Sequence, residues 1–167
     1  AILCQSALHI SIVKKNLQLD NIVNLGGNLW STEILDLLES LSTLPKSDKH
    51  AIMSSGNWHK NTADAVKYCI LKEIPYSLIP ASPYQQFLKN LGTHRGLVFF
   101  PKTPETLSRI VVEARMMGMN AVLNSKVGAS SEEWFSLKGR PLIDLMRAKR
   151  NEIVSKIMES LNVEPNV

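Results

Sequence analysis

TPETLSRIVVEARMMG, Thr103 to Gly118, stands between two short apolar runs, GLVFFP before it and NAVL after it. An apolar run, a turn bearing proline, a helical segment and a second apolar run predict strand, loop, helix, strand. Thr103 is a good N-cap and Pro104 suits the first helical position. Glu105 then falls in the first turn, where the helix dipole favours a carboxylate, and Gly118 suits the position just past the helix. The free first-turn amides offer an anion site. Glu105 and Glu113 lie eight residues apart, which on one helix is a rise of about 12 Å, so one extended ligand would touch both. On residues alone, Glu105, Arg109 and Glu113 also form an i,i+4 ladder of a solvated helix.

The same alternation extends outward. DNIVNL (20–25), HAIMSS (50–55), PYSLIP (75–80), GLVFF (96–100) and MNAVLN (119–124) read as short strands. STEILDLLESLST (31–43), TADAVKYCILKE (62–73), PYQQFLKNL (83–91) and a long segment from Pro141 carry helical periodicity, with Ser31 or Thr32 and Ser82 as caps and Pro83 at N1. Residues 1–17 read as a helix-like amphipathic segment, Pro45–Lys49 as a polar loop, and Gly26-Gly27 as a turn. Strands that alternate with helices predict an α/β fold: a Rossmann-like parallel sheet with helices on both faces. Ligands in such sheets bind beyond the carboxyl ends of the strands. Lys60, Ile79-Pro80, Glu105 and Gly128 all follow strands and therefore share one edge.

A chain of 167 residues can bury a single core. Its net charge of +4 suits an anionic ligand, but the basic residues make no stripe and the aromatics do not interleave with them, so no nucleic-acid partner is expected. Cys4 and Cys69 have neither metal spacing nor a disulfide framework. No run approaches the roughly 20 apolar residues of a transmembrane segment, and no signal peptide is legible. A cytoplasmic location, free or peripheral to a membrane, is expected. The chain opens without Met, and a piece of a longer polypeptide is expected.

Pro101, Glu105, Glu113, Ala114, Gly118, Gly128 and Glu132 together resemble the donor-binding signature of retaining glycosyltransferases of the GT-B fold, the group 1 type with an E-x7-E motif. Thr106, Leu107 and Ser108 depart from that family's Gly-Phe-Gly. The turn Gly56-Asn57-Trp58-His59-Lys60-Asn61 is similar to its G-R-x-x-x-K-G, with Asn57 and Asn61 replacing the Arg and the second Gly. The resemblance implies one half of a GT-B enzyme, with residues 1–18 an interdomain segment, 19–163 the nucleotide-sugar-binding domain and 164–167 a frayed tail. The activity implied is transfer of a sugar from a nucleoside diphosphate sugar to an acceptor glycan or other hydroxyl, with retention, no cofactor and no required metal. A missing N-terminal domain would contact the acceptor.

Carried over, Glu105 contacts donor-sugar hydroxyls and Lys60 stabilises the departing diphosphate. The amides of Thr106, Leu107 and Ser108 assist it, and Asn57 stands where the family has its second cation. Glu113 binds the ribose, Ile79 and Pro80 line the base pocket, and Gly128 lets backbone approach the ligand. His9 would fall near the cleft, although a surface or partly buried helix histidine accounts for it as well. His59 reads as a loop histidine. The departures at Asn57, Asn61 and Thr106–Ser108 support the alternative, a non-catalytic Rossmann-like binding module that has lost donor chemistry.

Overall fold

The computed structural model describes residues 1–161. The tail expected at 164–167 lies outside the described residues. Six strands, β1 (Ile2–Cys4), β2 (Ile22–Asn24), β3 (Ser47–Met53), β4 (Tyr76–Ile79), β5 (His94–Phe99) and β6 (Asn120–Leu123), alternate with six helices. The helices are α1 (Ala7–Leu17), α2 (Thr32–Ser42), α3 (Thr62–Leu71), α4 (Tyr84–Gly92), α5 (Arg109–Met116) and α6 (Arg140–Ser160). Every strand pairing is parallel. The architecture is α/β and Rossmann-like, as the alternation predicts.

Four strands form the main sheet, in the order β4-β3-β5-β6. The period-two rule separates its two faces. Ala51, Leu97 and Phe99 point into a large core with Leu35, Leu38 and Leu41 of α2, Leu88 and Leu91 of α4, Val111 and Val112 of α5, and Leu142, Ile143 and Met146 of α6. Their neighbours Ile52 and Val98 point the other way, onto Ala65 and Cys69 of α3. Helices therefore cover both faces, which is why β5 reads as an uninterrupted apolar run. Each fully buried leucine of α2 contributes about 1.5–3 kcal/mol. Ser31 caps that helix by accepting from Ile34 N. The chain leaves β3 toward β4 on one side and returns to β5 on the other. This makes the gap beyond Met53 and Phe99 the switch point, where a ligand crevice forms.

Four local expectations are corrected. Residues 103–108 are not helical: α5 begins at Arg109, because the backbone of Glu105 is bonded to the next loop instead. Its N–H donates to Lys126 O at 2.8 Å and its carbonyl accepts from Gly128 N at 2.9 Å. Residues 1–17 are not one helical segment, since Ile2–Cys4 pair with Ile22–Asn24 in a separate two-stranded sheet. The loop expected at Pro45–Lys49 gives way to β3 from Ser47, whose N–H donates to Thr93 O at 2.8 Å. Ser82 is not a cap: Pro83 holds that position and α4 starts at Tyr84. Gly118 does stand just past the end of α5, with φ +81°.

The β1–α1–β2 unit is tied to the rest through side chains. Ser6 Oγ caps α1 at His9 N (3.2 Å) and donates to Thr106 O (2.5 Å). Glu132 Oε1 accepts from Ala7 N at 2.7 Å, satisfying another first-turn amide beside the positive end of the helix.

Candidate ligand cleft

A cleft of about 480 Å³ opens at the switch point. Its wall takes Met53 and Lys60 from the β3 side, Glu105 to Ser108 from the loop after β5, and Arg109, Ile110 and Glu113 from α5. Tyr84 and Phe87 of α4, Gln5 and Asn28 close it. Loops from four strand ends converge here because all strands run the same way.

Glu113 anchors the floor. Its carboxylate is 3% exposed, and Oε1 accepts from Trp30 Nε1 (2.9 Å) and Tyr84 Oη (2.6 Å). Arg109 Nε lies 3.5 Å from the same oxygen, one helical turn away. Two neutral donors and one cation on Oε1 hold the carboxylate in a single orientation. Oε2 has no protein partner among the described residues and is not sealed from solvent. It is the free acceptor on the floor, and a carboxylate oxygen suits hydroxyl donors.

Arg109 crosses this floor. Its guanidinium lies 4.7 Å from the Trp30 ring centroid, in cation–π range, and Nη1 donates to Leu29 O at 2.8 Å. The Tyr84 phenol is pushed up to about 12, first by burial and then by donation to Glu113. It stays a neutral donor through the physiological range.

At the mouth, Lys60 Nζ meets Glu105 Oε1 at 2.7 Å, and the ammonium also lies 5.7 Å from the Phe99 ring centroid. The 3-10 turn Trp58–Lys60 carries Lys60 there. Glu105 and Glu113 thus sit on a loop and a helix, not along one helix, yet they line the same cleft.

Ser108 lies between them with φ +72° and ψ +88°. A non-glycine residue held there costs about 1–3 kcal/mol. It is enforced by the Glu105 bridge on one side and by α5 on the other. Its buried hydroxyl has no partner among the described residues. Thr106 and Leu107 are loop residues rather than a first helical turn. Leu107 is buried, and Thr106 Oγ1 donates to Gln5 Oε1 at 2.7 Å.

Other expected site residues lie away from the cleft. Asn57 does not line it; its Oδ1 accepts from His59 N at 3.0 Å. Ile79 is 4% exposed in the core and Pro80 is on the surface. Gly128 is packed under the loop, where an added Cβ would stand 2.1 Å from Thr106 O and 2.4 Å from Ser6 Oγ. Its backbone approaches the protein, not the cleft. Among the histidines, His9 Nδ1 accepts from Gln5 N (3.3 Å), and His59 Nδ1 contacts Thr103 Oγ1 (3.1 Å).

Tyr84, Arg109 and Gln5, which line the cleft, and Trp30, which donates to Glu113, were not anticipated. Tyr84 directly follows a strand and its loop, and Arg109 sits four residues before Glu113, so strand ends and i,i+4 spacing carried a signal for both. Gln5 reaches the cleft, and Trp30 reaches Glu113, from distant parts of the chain, and nothing local marks them.

Among the described residues no three His, Cys, Asp or Glu side chains cluster as a metal site, and no helix is long and apolar enough to cross a membrane. Comparison with protein-family models, curated proteins and solved structures finds no match for this chain.

Proposed function

We propose that the cleft binds a nucleoside diphosphate sugar and that the chain is the donor-binding half of a glycosyltransferase. The observation that carries this reading is the buried Glu113 carboxylate. It has one oxygen fully engaged by Trp30, Tyr84 and Arg109 and the other left open at the sheet switch point. In this reading Oε2 accepts from the ribose hydroxyls. Lys60 and Arg109, both in the cleft wall, supply the positive charge that a diphosphate requires, so Arg109 takes up the role left vacant by Asn57. When the sugar–phosphate bond breaks, charge grows on the diphosphate, and two fixed cations stabilise that state more than the starting one. Glu105, released from Lys60 as the phosphate arrives, accepts from sugar hydroxyls. A hydroxyl acceptor then takes the sugar on a surface completed by a second domain. The reaction calls on no group beyond donor, acceptor and these side chains.

Calorimetric titration with UDP, GDP and ADP tests the reading. One nucleotide is expected to bind saturably, and Glu113→Gln, which keeps an acceptor for Trp30 and Tyr84, weakens it by about tenfold. No binding of any of the three by the folded chain rejects it.

One observation supports a different role. Lys60 and Glu105 close on each other at 2.7 Å, so the mouth is already charge-satisfied. A binding module that has lost donor chemistry would keep this pair shut. It predicts that Lys60→Ala leaves every nucleotide titration unchanged.

A further inference from the structure

Trp58 differs from the other two tryptophans. Trp30 and Trp134 are 3% and 8% exposed, whereas Trp58 is 61% exposed. It is nonetheless held in place. One face of its ring stacks on His59, with centroids 3.9 Å apart and planes tilted by 30°. His59 is fixed in turn by Thr103 Oγ1 at 3.1 Å, and its carbonyl accepts from Lys102 N at 2.9 Å. Asn57 Oδ1 accepts from His59 N at 3.0 Å and closes the turn. An exposed aromatic ring ordinarily loses rotamer freedom on binding a ligand, and stacking on His59 reduces that loss here.

A groove of about 440 Å³ includes the ring in its wall, together with Ser55, Asn57, Asn61 and Lys102, and neither Lys60 nor Glu105 lines it. Among the described residues their unused hydrogen-bonding groups include both donors and acceptors. Asn57 spends its oxygen on His59 N, which leaves its amide N–H groups. Ser55 Oγ accepts from Asn57 N, which leaves its proton. Lys102 engages the turn through its main chain, donating from N and accepting Lys126 Nζ at its carbonyl, which leaves its ammonium. Asn61 Nδ2 donates to Asp64 and Phe100 O, which leaves its oxygen as an acceptor.

We propose that Trp58 and this groove form a saccharide-binding site distinct from the cleft. The C–H face of a pyranose lies on the free face of the indole, and the ring hydroxyls take the donors of Asn57, Ser55 and Lys102 and the acceptor of Asn61. A sugar ring matches this set because it has one apolar face and an edge of groups that both donate and accept. The inference does not rest on the donor-site reading, since none of Ser55, Asn57, Trp58, Asn61 and Lys102 lines the cleft.

Tryptophan fluorescence of the full chain, titrated with cellopentaose, maltopentaose and chitopentaose and separately with UMP and AMP, tests it. At least one oligosaccharide is expected to shift the emission to the blue, saturably. Trp58→Ala, titrated by calorimetry because the reporting ring is gone, weakens that binding at least about tenfold, the scale of one aromatic anchor. Asn57→Ala weakens it about two- to tenfold, the scale of one hydrogen bond. Trp58→Ala keeps the far-UV circular dichroism of the parent, since Trp58 is exposed. Three results overturn the proposal: no oligosaccharide alters the emission, the binding persists with equal affinity in Trp58→Ala, or only the nucleotides produce a Trp58-dependent response.

Discussion

Tyr84 Oη donates to Glu113 Oε1 at 2.6 Å, joining the first residue of α4 to a buried carboxylate of α5 across the floor of the cleft. The bond favours a neutral phenol beside an ionised carboxylate. Raised from 10.0 to about 12, the Tyr84 phenol makes its contribution to stability below about pH 10 and loses it as the pH rises toward 12. Absorbance titration of the tyrosinates is expected to show a step near pH 12, and Tyr84→Phe removes that step.

Glu113→Ala leaves Trp30 Nε1 and Tyr84 Oη without an acceptor. The unmade bond of buried Trp30 costs about 1–3 kcal/mol, and that of the part-buried Tyr84 less, because water can take the place of the acceptor. Thermal unfolding is expected to fall by about 2–4 °C per kcal/mol lost. Glu113→Gln, which keeps one acceptor, falls less. Equal losses would mean that the carboxylate oxygen is not the group holding Trp30 and Tyr84.

Gly128 has no room for a methyl group, because the Cβ would overlap Thr106 O at 2.1 Å. Gly128→Ala therefore pushes the 105–108 loop away from its parallel bridge with Val127. Urea unfolding is expected to show a loss of about 1–3 kcal/mol or more. Ser6→Ala, which removes the hydroxyl but not the carbonyl in the way, does not rescue it.

The Lys60–Glu105 pair is partly exposed, with side chains 31% and 20% accessible, so its worth to stability is about 0–1 kcal/mol. Lys60→Met is accordingly expected to leave the melting temperature within about 2–3 °C. In the donor-binding reading it lowers affinity for a nucleoside diphosphate more than for the monophosphate. Calorimetry on both nucleotides measures that difference.

His50 is partly buried on β3 with Nδ1 unpartnered among the described residues, and burial, aided by the Arg95 charge, lowers its pKa below 6.5. A histidine lowered in this way binds its proton more readily in the unfolded chain. Its contribution to stability is complete above pH 6.5 and is lost as pH falls below that value. Denaturant midpoints measured between about pH 5 and 7 are expected to drop on the acid side, and His50→Gln flattens that slope.

Several features were legible in the chain itself. The alternation of short apolar runs with 3.6-period segments specified a parallel sheet covered on both faces, and Gly118 marked the end of α5. The strand-end rule brought Lys60 and Glu105 toward one edge. Thr103-Pro104 misled because a good cap signal competes with tertiary bonding: the Glu105 backbone pairs with Lys126 and Gly128, and a helix there would forfeit both bonds. Ile79, Pro80 and Asn57 follow strands as Lys60 does, but the direction each takes depends on packing that no local pattern encodes.

The sequence by itself determined the fold class and the strand ends from which a cleft is built, because periodicity and turn chemistry act over a few residues. Only the tertiary structure decided which side chains meet in that cleft. Trp30 and Glu113 are 83 residues apart in the chain. Ser6 and Thr106 are 100 apart. Such contacts arise from how helices stack on the sheet, so their chemistry becomes readable only once the core has closed.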